Sequence, residues 1–213
     1  MNPFRQIAQQ FVMPLHLALR NQKVNFFFGL IGPDRGKRLL DVGGGAGIAG
    51  EFLRLYARFE NVIVLNLEPD ISGAPPELHL DAVRGDGCRL PFSTKSIDWV
   101  FSNAVIEHVG GWEKQKQFAD EIRRVAVKGY FVTTPNKHFP IEPHYLLPFY
   151  QFLPVSVQRC LVRFSPGYVT QYEEINLLSA KDLQRLFPEA EVKGMGVPVY
   201  ANTLVAAYKA GCQ

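Results

Sequence analysis

The apolar positions of this chain change period several times, and each change marks an element. Residues 3–31 carry Phe4, Ile7, Phe11, Leu15 and Leu19 at steps of three or four, the spacing of an amphipathic helix that Pro14 interrupts. The apolar run 24–31, with three successive phenylalanines, is predicted to be buried or to cover a pocket, and Gly32-Pro33 stops it. Residues 38–42 then form a short apolar run ending in glycines, which suits a buried parallel strand. Residues 47–59 return to helical spacing through Ile48, Phe52, Leu55 and Phe59, and 61–67 (NVIVLNL) are β-branched and strand-like. Pro75-Pro76 leaves room only for a short helix between 71 and 80. Strands are predicted at 82–85, 97–103 and 129–134, with a helix over 112–125 whose apolar face is Phe118, Ile122 and Val125. Ser179 is a good N-cap for a last helix with an acid at its third residue, and 191–200 and 202–209 read as a tightly joined antiparallel pair.

This β-α-β alternation predicts a parallel sheet with helices on both faces. Residues 136–170 break it with prolines, histidines and aromatics (PNKHFPIEPHYLLPFYQFLP), and are read as a lid inserted in one domain spanning 1–213. Residues 1–33 are read as a helical cover.

Composition narrows the classes of function. Apolar residues make up 47% and charged residues 20%, the balance of an ordinary globular chain. A net charge of +3 with scattered cations argues against a nucleic-acid partner, and the small group Arg35, Lys37 and Arg38 reads as a solvated loop. Cys88, Cys160 and Cys212 are far apart, without CxxC, so neither a disulfide framework nor a zinc site is expected. A reducing cytoplasm fits that usage, and no signal-peptide pattern or spanning apolar run is seen.

The most informative segment is Leu39-Leu40-Asp41-Val42-Gly43-Gly44-Gly45-Ala46-Gly47. An apolar strand runs into an acid and then into glycines. Glycine tolerates positive φ and lets a ligand lie against the backbone, and the next helix presents free N–H groups. Gly45-x-Gly47-x-x-Gly50 also matches the dinucleotide fingerprint, but it begins two glycines after the strand ends. The D-x-G-x-G-x-G spacing starts where the strand ends and accounts for Asp41 as well.

Three further segments, in order, resemble the class I S-adenosylmethionine-dependent methyltransferases, specifically the broad small-molecule group with the quinone and lipid methyltransferases. The resemblance covers about 39–136. It implies a three-layer α/β/α doubly wound, Rossmann-like fold: seven strands, mostly parallel, with an antiparallel last strand. It implies S-adenosyl-L-methionine as cofactor, with Asp41, Gly43, Gly44 and Gly45 at its amino-acid end. In Leu65-Asn66-Leu67-Glu68-Pro69, Asn66 stands where the family places the acid that holds the ribose, and Glu68 is the alternative holder. In Gly85-Asp86-Gly87-Cys88-Arg89-Leu90-Pro91-Phe92, the resemblance assigns Asp86 to the adenine amino group and Gly87 and Cys88 to the ring. In Asn103-Ala104-Val105-Ile106-Glu107-His108, it puts Asn103 and Ala104 beside the methionine end and His108 near the acceptor. The cover and the lid are expected to close over the cofactor.

Methyl transfer from a sulfonium demands mainly alignment, exclusion of water and, for a hydroxyl or amine acceptor, removal of a proton. Glu142 and His144, held between prolines in an apolar loop, are expected to face the acceptor, with His144 as base. Glu107, His108, Glu142 and His144 are metal-binding residue types, but no i, i+4 His pair or paired Asp supports a metal, and none is expected. The apolar lid, with Arg159 and Arg163 beside it, is read as a pocket roof, a dimer surface or a membrane-touching edge. With the Phe26–Phe28 segment it points to a small or lipid-linked acceptor, methylated on oxygen, nitrogen or carbon. The alternatives are an NAD(P)-dependent oxidoreductase and a cofactor-binding subunit without catalysis, the latter favoured by Asn66.

Overall fold

The computed structural model describes residues 18–33, 38–45, 52–167, 169–197 and 200–211. The first part of the expected N-terminal helix, most of the Gly45–Gly50 fingerprint and the start of the helix after it lie outside those residues. A helix, α1, covers 18–31. It is followed by strand β1 (Arg38–Val42), a single helical turn α2 (Leu53–Tyr56), β2 (Asn61–Asn66), β3 (Leu80–Arg84), β4 (Ile97–Asn103), helix α3 (Trp112–Val125) and β5 (Ala126–Pro135). A two-stranded ribbon, β6 (Ile141–Glu142) and β7 (Leu147–Pro148), and helix α4 (Val155–Leu161) precede α5 (Ala180–Leu186), β8 (Glu191–Val197) and β9 (Tyr200–Lys209).

The seven main strands lie in the order β3-β2-β1-β4-β5-β9-β8. β1 to β5 are mutually parallel, and β9 runs antiparallel to both β5 and β8. Period-two alternation sorts the strand residues onto two faces. Leu40, Val42, Val100, Tyr130, Val132, Leu204 and Ala206 pack with Phe118, Ile122 and Val125 of α3 and Leu183, Leu186 and Phe187 at α5. Their strand neighbours Leu39, Trp99, Phe101, Phe131, Val205 and Ala207 face the other way and pack with Val24, Phe27 and Ile31 of α1 and with Leu55 and Tyr56.

Phe27 is the centre of that second layer. It is fully buried, with ring centroids 5.2 Å from Phe131, 5.6 Å from Phe101 and 5.8 Å from Trp99. Phe26 stands edge-on to Phe131, and Phe28 lies beneath the guanidiniums of Arg54 and Arg58. The triple phenylalanine therefore serves to cover the sheet. Ser179 caps α5 as its sequence suggests, accepting from Asp182 N while the Asp182 carboxylate accepts from Ser179 N.

Between β5 and α5 the chain builds a small layer with its own apolar centre, Tyr145, Tyr150, Val162 and Val169. Leu147, Leu153, Leu161 and Ile175 pack against it, while Phe149, Phe152, Val155, Val157 and Phe164 are 40–65% exposed. No helix of the described residues is long and apolar enough to cross a membrane.

Candidate functional site

Parallel register brings the carboxyl ends of four strands to one edge of the sheet. Val42 is level with Leu65, Asp41 with Phe101, and Asn66 with Arg84. The chain leaves the sheet there in four turns, and these surround a cavity of about 420 Å³. Gly43, Asn66, Asp86, Gly87, Cys88, Ala104 and His108 line it, together with Leu67, Val105, Val109, Lys114 and Phe118. Ligands in open α/β sheets sit outside such strand ends.

The wall needs small residues at two points. Gly43 has φ +85°, and a Cβ there would overlap Val105. At Gly87 a Cβ would lie 2.6 Å from the Phe118 ring. Ala104 holds a left-handed conformation (φ 54°) without being glycine, and its N–H donates to Thr133 O at 3.0 Å. Backbone held in that region marks functional turns when the surroundings enforce it.

Asn66 is engaged with the glycine loop. Its Nδ2 donates to Gly44 O at 3.0 Å and to Gly43 O at 3.3 Å. Two carbonyls facing one amide settle its orientation, because the flipped amide would oppose oxygen to oxygen. Glu68 is exposed and does not line the cavity. Asp86 sits on the rim, its Oδ1 accepting from Cys88 N at 2.8 Å. Burial and the neighbouring Asp86 charge push the Cys88 thiol up to about 11, so it is a packing group with an S–H donated to Lys114 O.

Asp41 lies under the loop and outside the cavity lining. Its carboxylate accepts from the Tyr56 hydroxyl and is 2% exposed. Burial raises it to about 7, against the hydrogen bond from Tyr56. Asn103 is likewise behind the wall: its Oδ1 accepts from Lys23 Nζ at 2.8 Å and Thr133 Oγ1 at 2.9 Å. Burial lowers Lys23 to about 8, opposed by the charge of Glu107. Lys23 is the contribution of α1, and no residue of 18–33 lines the cavity.

Beyond Ala104 the cavity wall meets the segment after β5. His108, on the wall, stands edge-on to His144, with ring centroids 5.0 Å apart. His144 Nδ1 is 2.5 Å from Glu142 Oε1, and Glu142 Oε2 accepts from the backbone N–H of His144 and Tyr145. Both residues are buried. Glu107, fully buried, accepts from Thr134 Oγ1 at 3.0 Å, and burial pushes its carboxyl up to about 7. Burial, then the charge of His144, holds His108 below the usual histidine value. The turn is pinned from behind by Gln115, which donates to Ile106 O and Asn176 O, and by Asn176 N, which donates to Glu107 O. Ligating atoms of Glu107, His108 and His144 lie within 4.8 Å of one another, a set that could hold a metal ion.

Of the residues singled out in the sequence, Gly43, Asn66, Asp86, Gly87, Cys88, Ala104 and His108 line this cavity, Asp41, Gly44, Gly45, Glu68 and Asn103 do not, and Glu142 and His144 reach it only through the ring contact of His144 with His108. Sequence reasoning missed Lys114 and Phe118, whose signal was their position on the helix after the Glu-His pair, it left out Lys23, and it weighed Glu107 only as a metal-binding residue type.

Residues 40–133 match a family described as a methyltransferase domain. No curated protein matches the chain. A S-adenosylmethionine-dependent methyltransferase from Clostridium acetobutylicum superposes with a TM-score of 0.63 at 10% identity, over 99% of this chain and 100% of that one. Magnesium protoporphyrin IX methyltransferase from Synechocystis, solved with bound S-adenosylhomocysteine, gives 0.61 at 14%, over 95% and 87%. A Haloferax volcanii methyltransferase in complex with the Trm112 activator gives 0.58 at 14%, over 99% and 98%. At these identities the superpositions speak for the fold, and the strand order with its antiparallel β9 is the one on this chain. The matched segment spans the glycine loop, the Asp86 turn and the Glu107-His108 turn, so this stretch is similar to a methyltransferase domain and sits on the fold of the S-adenosylmethionine-dependent methyltransferases.

Proposed function

We propose that this chain methylates a lipophilic acceptor held between the 104–109 turn and the segment 138–145. The observation that carries this reading is continuity: His108, itself exposed, lines the cavity wall and stands against the buried His144. S-adenosylmethionine, when bound, supplies a methyl group already activated on a sulfonium. The chain's own residues then have to hold, orient and dry the acceptor and take its proton.

Gly43, Gly87 and Ala104 line the cavity with little or no side chain, which suits a ligand lying against backbone. Asp86 on the rim is the acceptor for an adenine amino group. Asn66 braces the loop and leaves its carbonyl oxygen for a ribose hydroxyl. Phe118, Leu67 and Val109 supply apolar walls. At the other end, Glu142 fixes the His144 ring, and His144 receives the proton leaving the acceptor.

The outward face of the lid supports a lipophilic acceptor delivered from an anionic membrane surface. Phe149, Phe152, Val155 and Phe164 are at least half exposed, α4 buries no residue, and residues 143–172 contain no Asp or Glu beside Arg159 and Arg163.

The test is calorimetric titration of S-adenosylmethionine and S-adenosylhomocysteine into wild type and Asp86→Ala. Micromolar binding weakened at least about tenfold in the variant, the loss of one charge-assisted hydrogen bond, supports the assignment. Absence of binding to folded wild type, with NAD(P) binding in its place, refutes it.

A further inference from the structure

The proton-transfer reading leaves one atom of the acceptor end unexplained. Glu107 is fully buried, and its Oε1 has neither solvent nor a hydrogen-bond partner, while Oε2 takes the Thr134 hydroxyl. The ammonium of Lys23, the cation that would answer it, is held by Asn103 Oδ1 at 2.8 Å. A buried carboxylate oxygen left unmet is costly, so it calls for a partner.

The groups around that oxygen have the chemistry of ligands. His108 Nε2 is 4.0 Å from Glu107 Oε1, and His108, His144 and Glu107 present donor atoms within 4.8 Å of one another. The three come from two segments, the turn after β4 and the start of the lid. Their convergence is therefore made by the fold, with no local spacing behind it.

His144 is also built as a ligand is built. Its Nδ1 meets Glu142 Oε1 at 2.5 Å, and Glu142 is itself fixed by two backbone N–H groups on Oε2. A carboxylate on one ring nitrogen of a histidine sets the tautomer, orients the ring and raises the basicity of the other nitrogen, the arrangement found behind metal-binding histidines. Simple packing would not need a buried carboxylate with three hydrogen bonds to orient one imidazole.

We propose that Glu107, His108 and His144 form a binding site for one divalent transition-metal cation, with Glu142 as the positioning residue. One carboxylate and two imidazoles select Zn²⁺, Mn²⁺ or Co²⁺ over Mg²⁺ and Ca²⁺, which prefer an all-oxygen shell. Three protein ligands leave a position open, and His108 places that position beside the cofactor cavity. This deepens the proposed function and rests on its placement of the acceptor. It names the acceptor as a hydroxyl compound, whose O–H would be polarised by the cation and give its proton to solvent, while the oxygen's electron pair forms the O–CH₃ bond as the sulfonium S–CH₃ bond breaks and S-adenosylhomocysteine leaves. His144 then acts as a ligand and no longer as the base.

Chelator-dialysed wild type is titrated calorimetrically with ZnCl₂, MnCl₂ and MgCl₂, and S-adenosylhomocysteine is titrated into the same samples. Binding of one equivalent of Zn²⁺ or Mn²⁺, weak Mg²⁺ binding, and at least about tenfold weaker binding in folded Glu107→Gln and His144→Ala are expected. Glu142→Gln is expected to lose about 10- to 100-fold through the ring it orients. Wild type loaded with Co²⁺ should show the visible bands of an ordered low-coordinate site, a reading that needs no variant. No cation binding by a wild type that still binds S-adenosylhomocysteine overturns the metal site and leaves the methyltransferase reading standing. So does cation binding that survives both ligand substitutions. Loss of S-adenosylhomocysteine binding with cation binding intact would strike the proposed function alone.

Discussion

Restoring the acid that the family places at the end of its second strand is predicted to harm this protein. In Asn66→Asp the side chain keeps its shape but loses both donor hydrogens. Wild-type Asn66 gives one bond of ordinary length to Gly44 O, 3.0 Å, and a longer one to Gly43 O, 3.3 Å. The shorter bond is worth about 1 kcal/mol. A carboxylate facing two carbonyl oxygens adds a penalty of similar size, about 1 kcal/mol, for acceptors left opposed in a half-buried site. The sum, about 2 kcal/mol, corresponds to a fall in melting temperature of roughly 4–8 °C for a domain of this size. If the whole of it is felt in the loop, S-adenosylhomocysteine binds about 30-fold more weakly. Differential scanning calorimetry and isothermal titration of the two proteins measure both quantities. An Asn66→Asp variant with unchanged melting temperature and tighter binding would refute the reasoning, because it would mean that position 66 serves the ribose and that the loop needs no brace.

Other substitutions test separate parts of the account. Phe27→Ala removes the ring that joins α1 to Trp99, Phe101 and Phe131, and should cost about 3–5 kcal/mol in urea unfolding; a cost below about 1 kcal/mol would show that α1 is not part of the core. Asp41 is raised from 3.8 to about 7, so between those values the folded chain keeps a proton that the unfolded chain has released. Its contribution to stability is full below pH 4 and is lost as pH rises through 7, so the stability of wild type relative to Asp41→Asn should fall from pH 4.5 to 7.5; a constant difference contradicts the buried, Tyr56-bonded acid. Arg159→Ala with Arg163→Ala should weaken sedimentation with phosphatidylglycerol vesicles about 30-fold at about 1 kcal/mol per charge, and Phe152→Ser should weaken it as well. Equal sedimentation of these variants and wild type removes the membrane surface.

The cavity at the strand ends was legible because it is local. Asp41 to Gly45, Leu65 to Glu68, Gly85 to Cys88 and Asn103 to His108 are each a strand end and its turn, and parallel pairing must carry such ends to one edge. Within those turns, hydrogen-bond partners were not legible. No pattern of residue types says that Asn66 donates to Gly43 and Gly44, that Asp41 turns to Tyr56, or that Asn103 is taken by Lys23. The run Phe26–Phe28 was read towards a substrate because its composition is apolar on all sides. The structure separates its three rings by direction, one into the core, one against Phe131 and one under the cations that α2 brings at Arg54 and just after it at Arg58.

The cluster of Glu107, His108, Glu142 and His144 could be grouped from the sequence by residue type alone, because no periodicity links residue 107 to residue 144. Each segment by itself offers a bland reading, an acid and a histidine after a strand and an acid and a histidine between prolines. The sheet removes that freedom: β5 runs beside β4, so the chain leaving Pro135 must pass the turn that leaves Asn103. Thr134, one residue before that exit, already bonds Glu107. The cavity and the cluster around His144 therefore differ in how they are held, the cavity by the strand ends and the His144 segment by the small core of Tyr145, Tyr150, Val162 and Val169. Changes inside that small core, such as Val162→Ala, should shift His144 against His108 and alter cation and acceptor binding while S-adenosylhomocysteine affinity stays within about twofold, since none of those four side chains lines the cavity.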